Sequence, residues 1–116
     1  MSTPDFLLLL KNHFNLKFIR HSKIITDKIK TIAFCGGSGS FLIPDAIRHR
    51  ADIFITGDLK YHDFFEADNK IILADIGHFE SEQHTIDILY DVLMKKFPNF
   101  AILKTKINTN PIEFYI

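Results

Sequence analysis

A histidine and a glutamate stand four residues apart in the segment Gly77-His78-Phe79-Glu80-Ser81-Glu82. If this segment opens a helix, His78 and Glu82 point the same way, with their β-carbons roughly 5–6 Å apart. An imidazole and a carboxylate at that spacing predict a pair of metal ligands, of a type that suits zinc, manganese, iron or nickel. The alternative is that Glu80 and Glu82 complement the positive end of the helix dipole, with His78 near the helix cap.

A second carboxylate–imidazole pair at the same spacing is formed by Asp58 and His62. Either residue could act as a metal ligand, as a proton-transfer group or as a partner that orients a ligand. The alternative is that Asp58 caps a helix and that His62 is half buried. We treat both as candidate catalytic residues.

A glycine-rich segment, Cys35-Gly36-Gly37-Ser38-Gly39-Ser40, follows an apolar run. A turn of this kind can present backbone N–H groups to a phosphate or another anion. It is not a Walker A loop, because no lysine follows the last glycine, and Leu42 stands where the dinucleotide fingerprint requires glycine. Ser40 could instead cap the next helix. The predicted anion-binding residues are Gly36, Gly37, Ser38 and Gly39.

Composition limits the classes of protein to consider. The 116 residues suffice for one hydrophobic core, and 47% hydrophobic with 24% charged residues is typical of a soluble globular protein. Lysine plus arginine equals aspartate plus glutamate, 14 each, so no net charge favours nucleic acid or an anionic membrane. The single cysteine, Cys35, excludes an internal disulfide and fits a reducing cytoplasm. The early apolar run Phe6–Leu10 is far shorter than the roughly 20 residues of a membrane span.

The elements that must position these residues alternate along the chain. This alternation predicts an α/β fold, with a central, largely parallel or mixed sheet of about five strands flanked by helices. The predicted helices are Thr3–His13, Phe41–His49, Lys60–Ala67 and Phe79–Phe97. The predicted strands are Leu16–Arg20, Lys30–Cys35, Asp52–Thr56, Lys70–Asp75 and Ala101–Lys104.

Three consecutive predicted strands end in the three segments described above. In an open α/β sheet, ligands bind beyond the carboxyl ends of the strands. If the strands are parallel, the glycine-rich segment, Asp58 and His78 lie on one edge of the sheet. We therefore expect a functional site at that edge.

These motifs, in this order, resemble the C-terminal half of the dinuclear-metal-centre family, also called the Nif-three-like or YbgI-like family. Many of its members carry the name GTP cyclohydrolase 1 type 2 homolog. The resemblance extends over nearly the whole chain from about Phe18. The motifs that carry it are Cys35–Ser40, Ala51–Asp58, Lys60–Asp63, Asp75–His78 with Ser81–Glu82, and Asn108–Pro111.

The resemblance implies a site for two divalent metal ions, to which this chain contributes His78 and Glu82 through a G-H-x-x-x-E motif. The family's other ligands, a His-His pair followed by proline and an aspartate, belong to its N-terminal half. None of the six histidines here is adjacent to another. Residues 1–116 are therefore expected to form a single domain, the C-terminal lobe of a longer two-lobed protein. A missing N-terminal lobe would supply the remaining ligands.

The resemblance implies two alternative functions. The complete protein would be a metal-dependent hydrolase acting on nucleotides or phosphate esters, and the isolated lobe would be inactive. Alternatively, the lobe would be a non-catalytic assembly or protein-interaction module with a structural or regulatory metal site. The resemblance also implies a homo-oligomer for the full-length protein, and nucleic acid is not expected as a partner.

Overall fold

The computed structural model describes residues 1–116 and contains a four-stranded mixed sheet flanked by helices. In the strand order β1-β4-β3-β2, the three longer strands are parallel and β1 runs antiparallel to β4. The predicted α/β class is confirmed, with four strands where about five were expected. The strands are β1 (Arg20–His21), β2 (Ile32–Ser38), β3 (Ile53–Gly57) and β4 (Ile72–Asp75).

Four α-helices and two 3₁₀ segments accompany the sheet. None of the helices combines the length and the apolar composition required to cross a lipid bilayer. The first helix covers the predicted residues, but Ser2 rather than Thr3 caps it, because the Ser2 side chain accepts a hydrogen bond from the Asp5 amide. The helices are α1 (Thr3–His13), α2 (Ile43–Arg48), α3 (His78–Glu82) and α4 (Thr85–Lys96), and the 3₁₀ segments are Ser40–Leu42 and Tyr61–Ala67.

Apolar side chains cover both faces of the central strands. Successive side chains of a strand point to opposite faces, so β3 contributes Ile53 and Ile55 to one cluster and Phe54 to the other. Phe6 of α1 belongs to the first cluster, and Ile43 of α2 belongs to the second. Every residue of β3 and β4 is therefore buried, as expected for strands inside a doubly covered sheet.

Several predicted boundaries were wrong around the sheet. β2 does not stop at Cys35 but continues through the glycines, because Ser38 still pairs with Gly57 of β3 beyond an irregularity in the register. Of the predicted strand Leu16–Arg20, only Arg20 lies in β1, because the Leu16 amide instead bonds to the Lys11 carbonyl in the last turn of α1. The segment predicted as a helix over Lys60–Ala67 adopts the tighter 3₁₀ form.

The predicted helix Phe79–Phe97 is in fact two helices, α3 and α4. α3 is fixed to β2 by Ser81, whose hydroxyl accepts a hydrogen bond from the Gly37 amide. The apolar repeat that predicted one long helix begins only at Ile86, inside α4. The break coincides with the boundary between two compact units, Met1–Glu82 and Gln83–Ile116. The single-domain organisation stays a prediction.

The predicted fifth strand, Ala101–Lys104, does not form. A strand needs a neighbour to satisfy its backbone N–H and C=O groups, and the unit Gln83–Ile116 contains one helix and no strand. The Lys104 ammonium instead lies 3.1 Å from Asp87 and 4.9 Å from the centre of the Tyr90 ring.

Candidate metal site

The ends of the three parallel strands meet at one edge of the sheet. A Cβ atom added to Gly57, at the end of β3, would lie 2.8 Å from the carbonyl carbon of Gly77 and from the amide nitrogen of His78. The end of β2 approaches the same place, because Gly37 faces the side chains of His78 and Glu82. The glycine-rich segment, Asp58 and His78 therefore share the edge at which the sequence predicts a site.

His78 and Glu82 occupy the first and last positions of α3. Their four-residue spacing places both side chains on one face, with His78 Nε2 3.1 Å from Glu82 Oε2. About half of each side chain is exposed, so solutes reach the pair. An imidazole nitrogen and a carboxylate oxygen therefore converge on one accessible point.

Asp58 contacts the opposite nitrogen of the same ring. Its Oδ2 lies 2.6 Å from His78 Nδ1 and accepts a hydrogen bond of 2.7 Å from the Ser38 hydroxyl. An ionised carboxylate only accepts hydrogen bonds, so the proton between Asp58 and His78 belongs to Nδ1. The neutral ring has one proton for two carboxylates, and the shorter contact, 2.6 Å to Asp58 against 3.1 Å to Glu82, favours Nδ1 and leaves the lone pair on Nε2.

These contacts shift both pKa values. The hydrogen bond from His78, followed by that from Ser38, lowers the pKa of the Asp58 carboxyl below its usual range. The hydrogen bond to Asp58 raises the pKa of the His78 imidazole, and the negative charge of Glu82 adds to the effect. A cation that binds Nε2 must therefore compete with a proton, because a metal ligand has to be the neutral imidazole.

Gly37 lies directly over the His78–Glu82 pair. Its φ of +70° favours glycine, and a Cβ atom there would lie 2.6 Å from Glu82 Oε1 and 3.1 Å from His78 Nε2. Its amide donates to Ser81 Oγ at 2.8 Å, and its carbonyl accepts from Thr56 Oγ1 at 2.9 Å. A side chain at Gly37 would therefore strain the backbone and displace the Glu82 carboxylate from its place beside His78 Nε2.

The pair fits a divalent cation. Two donor atoms bound to one such ion at about 2.0–2.1 Å lie roughly 3 Å apart, which matches the 3.1 Å between Nε2 of His78 and Oε2 of Glu82. No group of three or more histidine, cysteine, aspartate or glutamate side chains is placed to hold a metal ion. His78 and Glu82 are therefore two potential ligands, fewer than the four of a complete tetrahedral shell.

Three residues of the predicted anion site already have hydrogen bonds or close contacts with neighbouring groups. The Gly37 amide is already bonded to Ser81, and the Ser38 hydroxyl is bonded to Asp58. A side chain on Gly39 would collide with Thr56 Oγ1 and lie 2.9 Å from the Cys35 Cβ. Anion binding at Gly36, Gly37, Ser38 and Gly39 stays a prediction.

His62 is exposed on the 3₁₀ segment Tyr61–Ala67. Its ring contacts Tyr61 edge-to-face, with 5.2 Å between centroids, and lies 6.4 Å from Phe65. The structure places Asp58, but not His62, in contact with His78.

Three residues that shape this edge lie in the motifs described above, but their roles were not predicted from the sequence. Ser81 and Thr56 are buried and hold Gly37 through its amide and its carbonyl. Asp75 is buried at the end of β4, where it pairs with Arg20 and accepts hydrogen bonds of 2.9 Å from the amides of Leu59 and Gly77. The available signal was a polar residue closing an apolar strand, which marks both Thr56 and Asp75.

Known proteins resemble this chain in sequence and in fold. The GTP cyclohydrolase 1 type 2 homolog of Campylobacter jejuni is 39% identical over 107 residues, covering 91% of this chain and 42% of that protein. The protein of the same name from Staphylococcus aureus (strain MSSA476) is 34% identical over 119 residues, covering 98% of this chain and 32% of that protein. The chain thus spans about a third of that relative's length.

Solved structures are similar to this chain in fold. The crystal structure of Staphylococcus aureus protein SA1388 superposes with a TM-score of 0.82 at 30% identity, covering 99% of this chain and 39% of that one. A Bacillus cereus protein related to NIF3 gives a TM-score of 0.79 at 27% identity, covering 99% and 33% of the respective chains. The profile of one family matches residues 1–111, which include all three strand exits. The chain therefore belongs to the Duf34/NIF3 (NGG1p interacting factor 3) family.

Proposed function

We propose that this chain contributes His78 and Glu82 to a site for two divalent metal ions, which are zinc, manganese, iron or nickel. The proposal rests on the distance of 3.1 Å between His78 Nε2 and Glu82 Oε2, at a place where Gly37 contributes no side chain. Because the chain presents only two ligands, an N-terminal lobe, corresponding to the part of the relatives outside the matched third, supplies the others.

We further propose that the complete protein is a metal-dependent hydrolase acting on nucleotides or phosphate esters. The relatives' name, GTP cyclohydrolase 1 type 2 homolog, supports this assignment. Bound metal ions supply Lewis acidity and lower the pKa of water. Gly36, Gly37, Ser38 and Gly39 hold an anionic group of the substrate, and Asp58 or His62 transfers a proton. The isolated lobe is inactive. We place the protein in the cytoplasm, because its single cysteine fits a reducing compartment.

A metal titration tests the proposal. Calorimetric titration of zinc or manganese into the 116-residue chain is expected to show weak binding, which His78→Ala abolishes. His49→Ala is the matched control, because His49 follows α2 and its Nδ1 contacts the Asp45 carbonyl rather than the strand exits. Tight binding of two metal equivalents that survives His78→Ala would overturn the proposal.

A second candidate function is assembly into a homo-oligomer, with the metal in a structural or regulatory role. The observation that favours it is that α4 has no buried residue, while Ile88, Leu89 and Val92 are each more than half exposed. Sedimentation velocity at increasing concentration tests this function. Leu89→Lys is expected to abolish association, and a chain that is monomeric at all concentrations contradicts it.

A further inference from the structure

Asp58 and Glu82 contact opposite nitrogens of the His78 ring. Asp58 Oδ2 lies 2.6 Å from Nδ1, whereas Glu82 Oε2 lies 3.1 Å from Nε2. The two nitrogens of an imidazole point away from each other, so a group bonded to Nδ1 does not share a cation with Nε2. This geometry removes one of the roles left open for Asp58, that of a ligand to a metal held by His78 Nε2 and Glu82.

Resting on the metal role proposed for His78, we propose that Asp58 is a positioning residue. Its carboxylate makes the shorter of the two contacts and so keeps the proton of the neutral imidazole on Nδ1, which leaves the Nε2 lone pair for a cation shared with Glu82. Carboxylates that orient a metal-binding histidine in this way typically contribute 10–100-fold to metal affinity.

The backbone around Asp58 and the side chain of Ser38 together hold the Asp58 carboxylate in place. Asp58 adopts a left-handed φ of 55°, a conformation that aspartate tolerates better than most residues. Gly57, directly before it, lies against the backbone of Gly77 and His78. From the end of β2, Ser38 donates a hydrogen bond to the oxygen that contacts His78. Asp58 thus links the ends of β2 and β3 to the start of α3.

Nitrogen-15 NMR of the metal-free chain tests this role at alkaline pH, where the imidazole is neutral. The wild-type His78 is expected to show the Nδ1–H tautomer, although free histidine favours Nε2–H. Asp58→Gly accepts the left-handed backbone while removing the carboxylate. It is expected to lose the Nδ1–H tautomer and about 10–100-fold in zinc affinity.

Two further variants make the test specific. Asp58→Asn keeps the size and shape of the side chain but not its charge, and its amide NH2 can donate to Nδ1, so this variant is also expected to lose the Nδ1–H tautomer and zinc affinity. Asp68→Gly is the matched control, because Asp68 is an exposed aspartate with a left-handed φ of 46° at another turn. If the Asp58→Gly chain keeps the wild-type tautomer, the positioning role of Asp58 is overturned, whereas the proposed function is not affected. Zinc binding that survives His78→Ala overturns instead the proposed function.

Discussion

At the scale of single residues, the site depends on His78 standing between two carboxylates. Asp58 holds Nδ1 and Glu82 faces Nε2, while Gly37 leaves the space beside Nε2 open. These residues come from different segments, since Gly37 lies one residue before the end of β2, Asp58 follows β3 and His78 opens α3. A substitution at any of these positions should therefore affect the place between His78 Nε2 and the Glu82 carboxylate.

Replacing Gly37 with alanine tests whether metal binding requires the space beside His78 Nε2 to be free. Alanine at φ +70° is strained, and its Cβ would lie 2.6 Å from Glu82 Oε1. We expect the free energy of unfolding to fall by about 1–3 kcal/mol and zinc binding to be lost. Urea denaturation and calorimetry measure the two effects.

Gly36→Ala is the matched control for this substitution. Its added Cβ would meet its nearest neighbour, Glu82 Cγ, at an ordinary contact distance of 3.4 Å. A Gly37→Ala chain that binds zinc as well as the Gly36→Ala chain would show that the cation lies elsewhere.

The His78–Glu82 pair was predictable because helical spacing alone brings residues four apart together. The contact between Asp58 and His78 was not, because it joins residues 20 positions apart through a left-handed backbone and a parallel strand pair. The roles of Ser81 and Thr56 could not be predicted for the same reason, since each bonds to Gly37, which is 44 and 19 positions away in the sequence, respectively.

At the scale of elements, the sheet places these residues and must itself be held in register. At the opposite end of β2 and β3, Asp52 fixes the register, because its Oδ2 accepts hydrogen bonds of 2.8 Å from the amides of Lys30 and Thr31. These two bonds lower the pKa of the Asp52 carboxyl, with the bond from Thr31 the larger cause. The contribution of Asp52 to the stability of the sheet is therefore larger while it is ionised.

Asp52→Asn tests this contribution as a function of pH. The folded-state pKa lies below the ordinary value of 3.8, so the stabilisation is fully present above that value and is lost as the pH falls through the folded-state pKa. We expect the variant to lose about 1–2 kcal/mol of unfolding free energy at neutral pH and to match the wild type in strong acid.

Urea denaturation across this pH range provides the measurement, with the exposed Asp27→Asn as control. A difference between Asp52→Asn and the wild type that does not change with pH would contradict the ionic origin of the stabilisation.

Apolar runs and glycine breaks were sufficient to predict β3 and β4 to within about two residues. The fifth strand was predicted from its own residues, but a strand also needs a pairing partner, which its unit lacks. The break between α3 and α4 escaped prediction because helical periodicity does not show that Ser81 is bonded to β2.

At the scale of the whole molecule, the chain corresponds to about a third of its Staphylococcus aureus relative. Mixing it with a lobe that comprises the remaining part of this relative is expected to produce two tightly bound zinc equivalents. The physical reason is that the lobe completes a coordination shell for which this chain presents only two ligands. Calorimetry and metal analysis after gel filtration give the stoichiometry. Equally weak binding with and without the lobe would contradict a shared site.

The most direct test of the central claim is to locate the metal itself. Anomalous diffraction at the zinc edge, from crystals of the chain soaked in zinc, should place the ion between His78 Nε2 and the Glu82 carboxylate, with Asp58 still bonded to Nδ1. A zinc ion bound to Nδ1, or one found only at residues away from the strand exits, would contradict the account.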